Sequence, residues 1–96
     1  MKVRRADSFA DRLKGLALAP STDEALYLPN CRSVHTIGMR FALDLIWVDD
    51  EGHPVRVDRG VPPLRMRACR AAHGVIECPA GEADALVATL DRSWLS

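Results

Sequence analysis

Residues 41–48 constrain the fold of this chain more than any other segment. Every residue of the segment is apolar except Asp44, so the alternating positions of a strand put apolar side chains on both faces. A strand of this kind is covered on two sides, and we therefore predict an interior strand of a sheet. The segment is far too short to cross a membrane.

A turn and a hairpin partner are predicted to follow this strand. Residues 49–52 read Asp-Asp-Glu-Gly, in which Gly52 suits a positive φ. Residues 53–58 then alternate between apolar and polar, as a half-buried partner strand does. Pro54 cannot donate a hydrogen bond to a strand ladder, so we expect the partner strand to begin at an edge of the sheet.

Shorter segments complete the predicted fold. They are a short helix capped by Asp7 or Ser8, strands over residues 24–28 and 74–79, and a helix over about residues 82–90. Residues 64–72 are ambiguous, because they alternate like a strand but have the composition of a helix. Repeated strand–helix–strand units are missing. We therefore predict an α+β fold with a small, mostly antiparallel sheet or a partly closed barrel, and one or two short helices.

Length and composition predict one domain spanning residues 1–96. The chain is 48% hydrophobic and 27% charged, which is typical of a globular protein. Basic and acidic side chains number 13 each, so no overall charge attracts nucleic acid or an anionic membrane. The first residues contain no apolar signal segment, and the three cysteines are an odd number. We therefore expect a cytoplasmic protein with reduced thiols and no membrane association.

Several short motifs occur in the order found in one known family. They are the Arg-x-x-Gly-Leu element that begins at Arg12, the segment 34–44, the turn at 49–52, the Val-Ile-Glu element that ends at Glu77, and the pair Ala80-Gly81. Through these motifs, which cover about residues 6–81, the chain resembles the domain of unknown function 192 (DUF192) family. The resemblance implies a compact α+β fold built around a small sheet. It implies no reaction and no catalytic residue, since the family has no established activity.

Two carboxylates in predicted strands indicate a candidate polar site. Asp44 and Glu77 each lie among apolar neighbours, where an unpaired charge is costly, so we expect Arg12, Arg40 or His35 to pair with them. One interpretation is a non-catalytic site for a small ligand or a partner protein. Its candidate ligand-binding residues are Arg12, His35, Thr36, Met39, Asp44 and Glu77. The other interpretation is a structural network that fixes residues 34–40 against the sheet.

An enzyme is the competing class of function. His35 and Asp44 would then act as the acid–base pair of a hydrolase. Ser33 and Thr36 are close in sequence, but the nucleophile motif Gly-x-Ser-x-Gly does not occur. The sequence therefore favours a binding domain over an enzyme and identifies no catalytic residue.

Two further patterns bear on cofactors and partners. Cys31 and His35, and likewise Cys69 and His73, form Cys-x-x-x-His pairs that together would make a zinc-stabilised module. On a strand, residues four apart lie roughly 13 Å from each other and cannot share a metal, so we expect no cofactor. The arginines of residues 56–70 lack interleaved aromatic side chains that could stack on bases, so a solvated face is favoured over a nucleic-acid interface.

Overall fold

The computed structural model describes residues 2–6, 24–36 and 41–90. The strands are β1 (Lys2–Arg5), β2 (Glu24–Pro29), β3 (Ser33–His35), β4 (Leu43–Val48), β5 (Pro54–Val61), β6 (Met66–Ala68) and β7 (Gly74–Pro79), and the helix is α1 (Ala83–Thr89). The helix predicted to begin at Asp7 or Ser8 lies outside the described residues. Helix α1 is much too short to span a membrane, and the described residues contain no other candidate span.

Five strands form one open sheet in the order β1-β2-β7-β4-β5, while β3 and β6 pair with each other in a separate two-stranded ribbon. Every pairing is antiparallel except that of β1 with β2. The prediction of a small, mostly antiparallel sheet is confirmed. The prediction of a partly closed barrel is wrong, because β1 and β5 remain at opposite edges and the strands that could extend the sheet form the ribbon instead.

Strand β4 is the interior strand that its apolar sequence predicts. All six of its residues are buried, and β5 and β7 flank it. Leu45 and Trp47 pack into one hydrophobic cluster, while Ile46 and Val48 pack into another. We call the first side of the sheet the ribbon face, because Val34 of β3 packs against its cluster and Cys69, next to β6, belongs to it. The second side is the helix face, because Ala83 and Leu86 of α1 cover it.

The remaining elements agree with the sequence in most places. The turn after β4 has Gly52 at φ 83°, and β5 is an edge strand that begins at Pro54, as predicted. Strand β5 continues beyond residue 58 to Val61. The ambiguous residues 64–72 contain strand β6 rather than a helix, because β6 pairs with β3. The C-terminal helix prediction is confirmed by α1.

Candidate functional site

Glu77 lies on the ribbon face of β7. Its two neighbours across the strands are Leu26 of β2 and Leu45 of β4, and neither leucine is exposed to solvent. Strand alternation agrees with this placement, because Val75 packs on the ribbon face whereas Ile76 packs on the helix face. The Glu77 carboxylate therefore emerges from the sheet between two apolar side chains.

Within the described ranges, no residue forms an ion pair or a hydrogen bond with the Glu77 side chain. Burial raises the pKa of its carboxyl group from 4.5 to about 7. The cause is desolvation, because an ionised carboxylate loses more hydration than a protonated one when it enters apolar surroundings. Glu77 is consequently poised to gain or lose a proton near neutral pH.

Asp44 has the opposite environment, although the sequence gives the two carboxylates a similar setting. It lies next to Cys78 on β7, a residue of the helix-face cluster, and only 2% of it is exposed. Its carboxylate accepts hydrogen bonds from the main-chain N–H groups of Gly60 at 2.9 Å, Gly81 at 2.9 Å and Ala83 at 3.1 Å. Three donors satisfy a buried carboxylate without a basic side chain.

This arrangement assigns Asp44 a structural role. The residue at the start of α1, Glu82, makes no side-chain capping bond, so the carboxylate of Asp44 caps the helix from β4. The same carboxylate ties the helix to β5 through Gly60. Of the basic partners expected for Asp44, His35 does not pair with it, and the described partners of Asp44 are main-chain amides. Arg12 and Arg40 lie outside the described residues.

The hydroxyl group of Thr36 also has hydrogen-bond partners within the protein. The residue is 1% exposed, and its hydroxyl donates to the carbonyl of Pro62 at 2.7 Å and accepts from the N–H of Arg65 at 2.9 Å. Its main chain bonds to the same loop, with its N–H donating to the Arg65 carbonyl and its carbonyl accepting from the Leu64 N–H. Thr36 thereby fastens the end of β3 to residues 62–65.

The other predicted site residues are not brought to Glu77 by the part of the chain that the structure describes. His35 is exposed on β3, where it lies opposite Met66. It does not pair with Asp44, whose hydrogen-bond partners are the three amides given above. Arg12 and Met39 lie outside the described residues. Among the described site residues, His35 and Glu77 have side chains without a protein partner, and of these two only Glu77 is partly buried.

The zinc arrangement is not formed. Across residues 2–6, 24–36 and 41–90, no three His, Cys, Asp or Glu side chains come together in a way that could hold a metal. Cys31 and Cys69 are buried, whereas His35 and His73 are exposed. In the first pair, extended backbone also keeps Cys31 apart from His35. The third thiol, Cys78, has its pKa raised to about 12 by burial and then by the charge of Asp44, so it stays protonated.

A polar cluster that the sequence analysis missed joins the ribbon to the sheet. Trp47 donates its indole N–H to Asp58 at 3.0 Å, and Arg56 donates to both oxygens of the same carboxylate. Burial alone would raise the pKa of the Asp58 carboxyl group, but the hydrogen bonds from Arg56 and Trp47 outweigh burial, so its pKa is lowered. Arg56 also donates to the carbonyl of Ala68 on β6 at 2.7 Å. The sequence could have indicated this pair, because the alternation of β5 places Arg56 and Asp58 on the same face of the strand.

The fold and this geometry define a small open-sheet domain with a carboxylate on one apolar face that no described residue pairs. The family model of DUF192, described as "Uncharacterized ACR", matches residues 1–92. The chain therefore belongs to the DUF192 family, which confirms the resemblance seen in its motifs. No curated protein matches the chain significantly.

Two crystal structures share this fold. A protein of unknown function from Novosphingobium aromaticivorans is similar with a TM-score of 0.72 and 18% identity, over 88% of this chain and 66% of that one. A putative transcription regulator from Sinorhizobium meliloti is similar with a TM-score of 0.74 and 17% identity, over 88% of this chain and 72% of that one. This chain spans about two thirds of the length of the Novosphingobium protein. At such identities the likeness shows the fold alone.

Proposed function

We propose that this domain binds a small ligand without catalysis, and that the ligand carries an ammonium, guanidinium or other N–H donor that reaches Glu77. The observation that carries the proposal is the partly buried carboxylate between Leu26 and Leu45, to which no described residue donates. An unpaired carboxylate in apolar surroundings is costly for a fold to retain. A cationic ligand offsets that cost by supplying the missing partner, while the leucines contribute apolar contact.

The side chains of Asp44 and Thr36 already have hydrogen-bond partners within the protein, which supports binding over catalysis. A hydrolase of the kind considered above needs His35 beside Asp44, but Asp44 caps α1 and His35 is exposed on the ribbon. Thr36 uses its hydroxyl within the fold. Glu77 alone is a hydrogen-bonding site and not a catalytic constellation, because acid–base chemistry on a bound group also needs a nucleophile or an oriented water.

Thermal unfolding in the presence of small cations tests the proposal. The probes are putrescine and agmatine, and glutarate serves as a probe of opposite charge. We expect at least one cation to raise the Tm of the wild-type protein through preferential binding to the folded state, and glutarate to leave it unchanged. Glu77→Gln should lose the response. Asp50→Asn is the matched control, because it removes one exposed carboxylate and should retain the response.

Native mass spectrometry of freshly purified protein extends the test to a ligand that co-purifies. An organic mass retained by the wild-type protein and by Asp50→Asn, but lost from Glu77→Gln, is the expected result. The proposal is contradicted if the cations raise the Tm of Glu77→Gln as much as that of the wild-type protein. It is also contradicted if neither a probe response nor a retained mass depends on Glu77.

A further inference from the structure

The outer side of the ribbon exposes two large apolar side chains. Leu64, in the loop before β6, is 69% exposed, and Met66 of β6 is 70% exposed. Only one other large hydrophobic residue of the described chain is exposed: Val55 of β5, at 43%. Val34, by contrast, packs against the ribbon-face cluster on the inner side. The ribbon therefore has an apolar inner side and a second, uncovered apolar surface formed by Leu64 and Met66.

Leu64 is held in this exposed position at a conformational cost. Its φ is 64°, in the left-handed region that side chains with a Cβ disfavour. The Thr36 hydrogen bonds keep it there, through the Leu64 N–H at 3.3 Å and the adjacent Arg65 N–H at 2.9 Å. Glycine or asparagine would fit this backbone with less strain. A strained residue that exposes an apolar side chain adds nothing evident to folding, and strain of this kind is concentrated at functional sites.

The charge of the ribbon is segregated from that of the rest of the chain. The ribbon strands and the residues that flank them, 31–36 and 62–73, contain four arginines, two histidines and no carboxylate, although the whole chain is formally neutral. We call their exposed members, Arg32, Arg65 and Arg70, the ribbon arginines. The rest of the chain has nine basic residues against thirteen acidic ones. An apolar pair on a part of the chain whose only charged side chains are basic is thus complementary to apolar side chains flanked by carboxylates.

We infer that the surface formed by Leu64, Met66 and the ribbon arginines docks an acidic, apolar segment of a partner protein. The fixed backbone of Leu64 favours a protein over a lipid surface, because a rigid arrangement increases affinity when the partner has a complementary fixed shape. The ribbon offers no aromatic side chain on which nucleic-acid bases could stack. Arg and Met are also enriched in protein interfaces. This surface lies on the outer side of the ribbon and is independent of the site proposed at Glu77.

Peptide display with a strain-relieving variant tests the inference. A phage-displayed library of random linear peptides is selected on the wild-type protein, with Leu64→Gly protein in solution as the competitor. Selected peptides are then measured by fluorescence anisotropy against each variant. Leu64→Gly removes the apolar side chain but suits the positive φ, so it should fold with a Tm at or above that of the wild-type protein. Met66→Ser provides a second variant that keeps the backbone unchanged.

We expect the selected peptides to combine Asp or Glu with apolar residues. Leu64→Gly should weaken their binding by about tenfold or more, which corresponds to the loss of one buried leucine contact. Arg70→Glu should also weaken binding and reduce its sensitivity to salt. Val55→Ser and Lys2→Glu are the matched controls, since they remove an exposed apolar side chain and reverse an exposed charge outside the ribbon. Both should bind like the wild-type protein.

Other results would overturn the inference. One is a selection that yields no peptide dependent on Leu64, and another is a set of peptides without acidic residues. A third is Leu64-dependent sedimentation with phosphatidylserine vesicles but not with phosphatidylcholine vesicles, which would assign the surface to a membrane. Leu64-dependent retention of a single-stranded oligonucleotide would assign it to nucleic acid.

Discussion

Replacing Glu77 by glutamine should stabilise the protein at neutral and alkaline pH but not in acid. The folded pKa of the carboxyl group is about 7, compared with 4.5 for the unperturbed group. Below the lower value both states are protonated, and the carboxyl group adds no pH dependence. As the pH rises through this interval the unfolded chain releases a proton that the folded chain retains, so stability falls. Above pH 7 the loss is complete and stays constant.

The magnitude follows from the two pKa values. Each pKa unit corresponds to about 1.4 kcal/mol, so the wild-type protein loses about 3 kcal/mol between the acidic and neutral limits. Glutamine has nearly the same shape and never ionises, so it avoids this loss. Glu77→Gln should therefore match the wild-type protein at about pH 4 and exceed it by about 3 kcal/mol at about pH 8. For a domain of this size the Tm would rise by roughly 12–24 °C at the higher pH.

Urea unfolding at a series of pH values measures this difference directly. The quantity of interest is the free energy of unfolding of Glu77→Gln minus that of the wild-type protein, because other titrating groups cancel in it. Asp50→Asn is the control and should show a nearly flat difference, since its carboxylate is exposed. A flat difference for Glu77→Gln, or a variant that is less stable at alkaline pH, would refute the reasoning. A flat difference would mean that the carboxyl group keeps its ordinary pKa in the folded protein, and a loss at alkaline pH would mean that the carboxylate has a favourable partner there.

Three further substitutions test the frame around the site. Asp44→Asn places an amide among three N–H donors and should cost about 2–4 kcal/mol by urea unfolding. Asp84→Asn removes an exposed ion pair and should cost much less, because solvent screens that pair. Equal costs would contradict the capping role of Asp44. Gly74→Ala puts a Cβ 2.7 Å from the Tyr27 ring and should cost about 1–3 kcal/mol, so an unchanged Tm would exclude that close approach. Leu64→Gly should raise stability slightly by relieving the positive φ, and a clear loss of stability would show that the side chain contributes to folding.

The elements that the sequence predicted correctly are those set by local pattern. The apolar residues of β4 dictate an interior strand wherever it pairs, and Pro54 dictates an edge for β5. Strand β6 has only three residues, so its alternation is too short to distinguish strand from helix. The open edges of the sheet also depend on which strands pair, and pairing is not encoded in any one segment.

The candidate site was predicted only in part, and for a related reason. Asp44 and Glu77 are recognisable in the sequence as carboxylates in apolar strands. Their assignment to opposite faces depends on register, which places Asp44 beside Cys78 and Glu77 beside Leu45. The partners of Asp44 are main-chain N–H groups, which every residue except proline carries, so no residue type marks them. A sequence therefore reveals the need for a partner more readily than the partner itself.

The most direct test of the account is the pKa of Glu77, measured from the ¹³C chemical shift of its carboxyl carbon during an NMR pH titration. We expect a midpoint near 7, and a lower midpoint when a binding cation such as agmatine is present, because the cation favours the ionised form. A midpoint at the ordinary 4.5 would show that water satisfies this carboxylate, and a lower midpoint would show that the protein itself pairs it. Either result would contradict the proposal that Glu77 awaits a ligand.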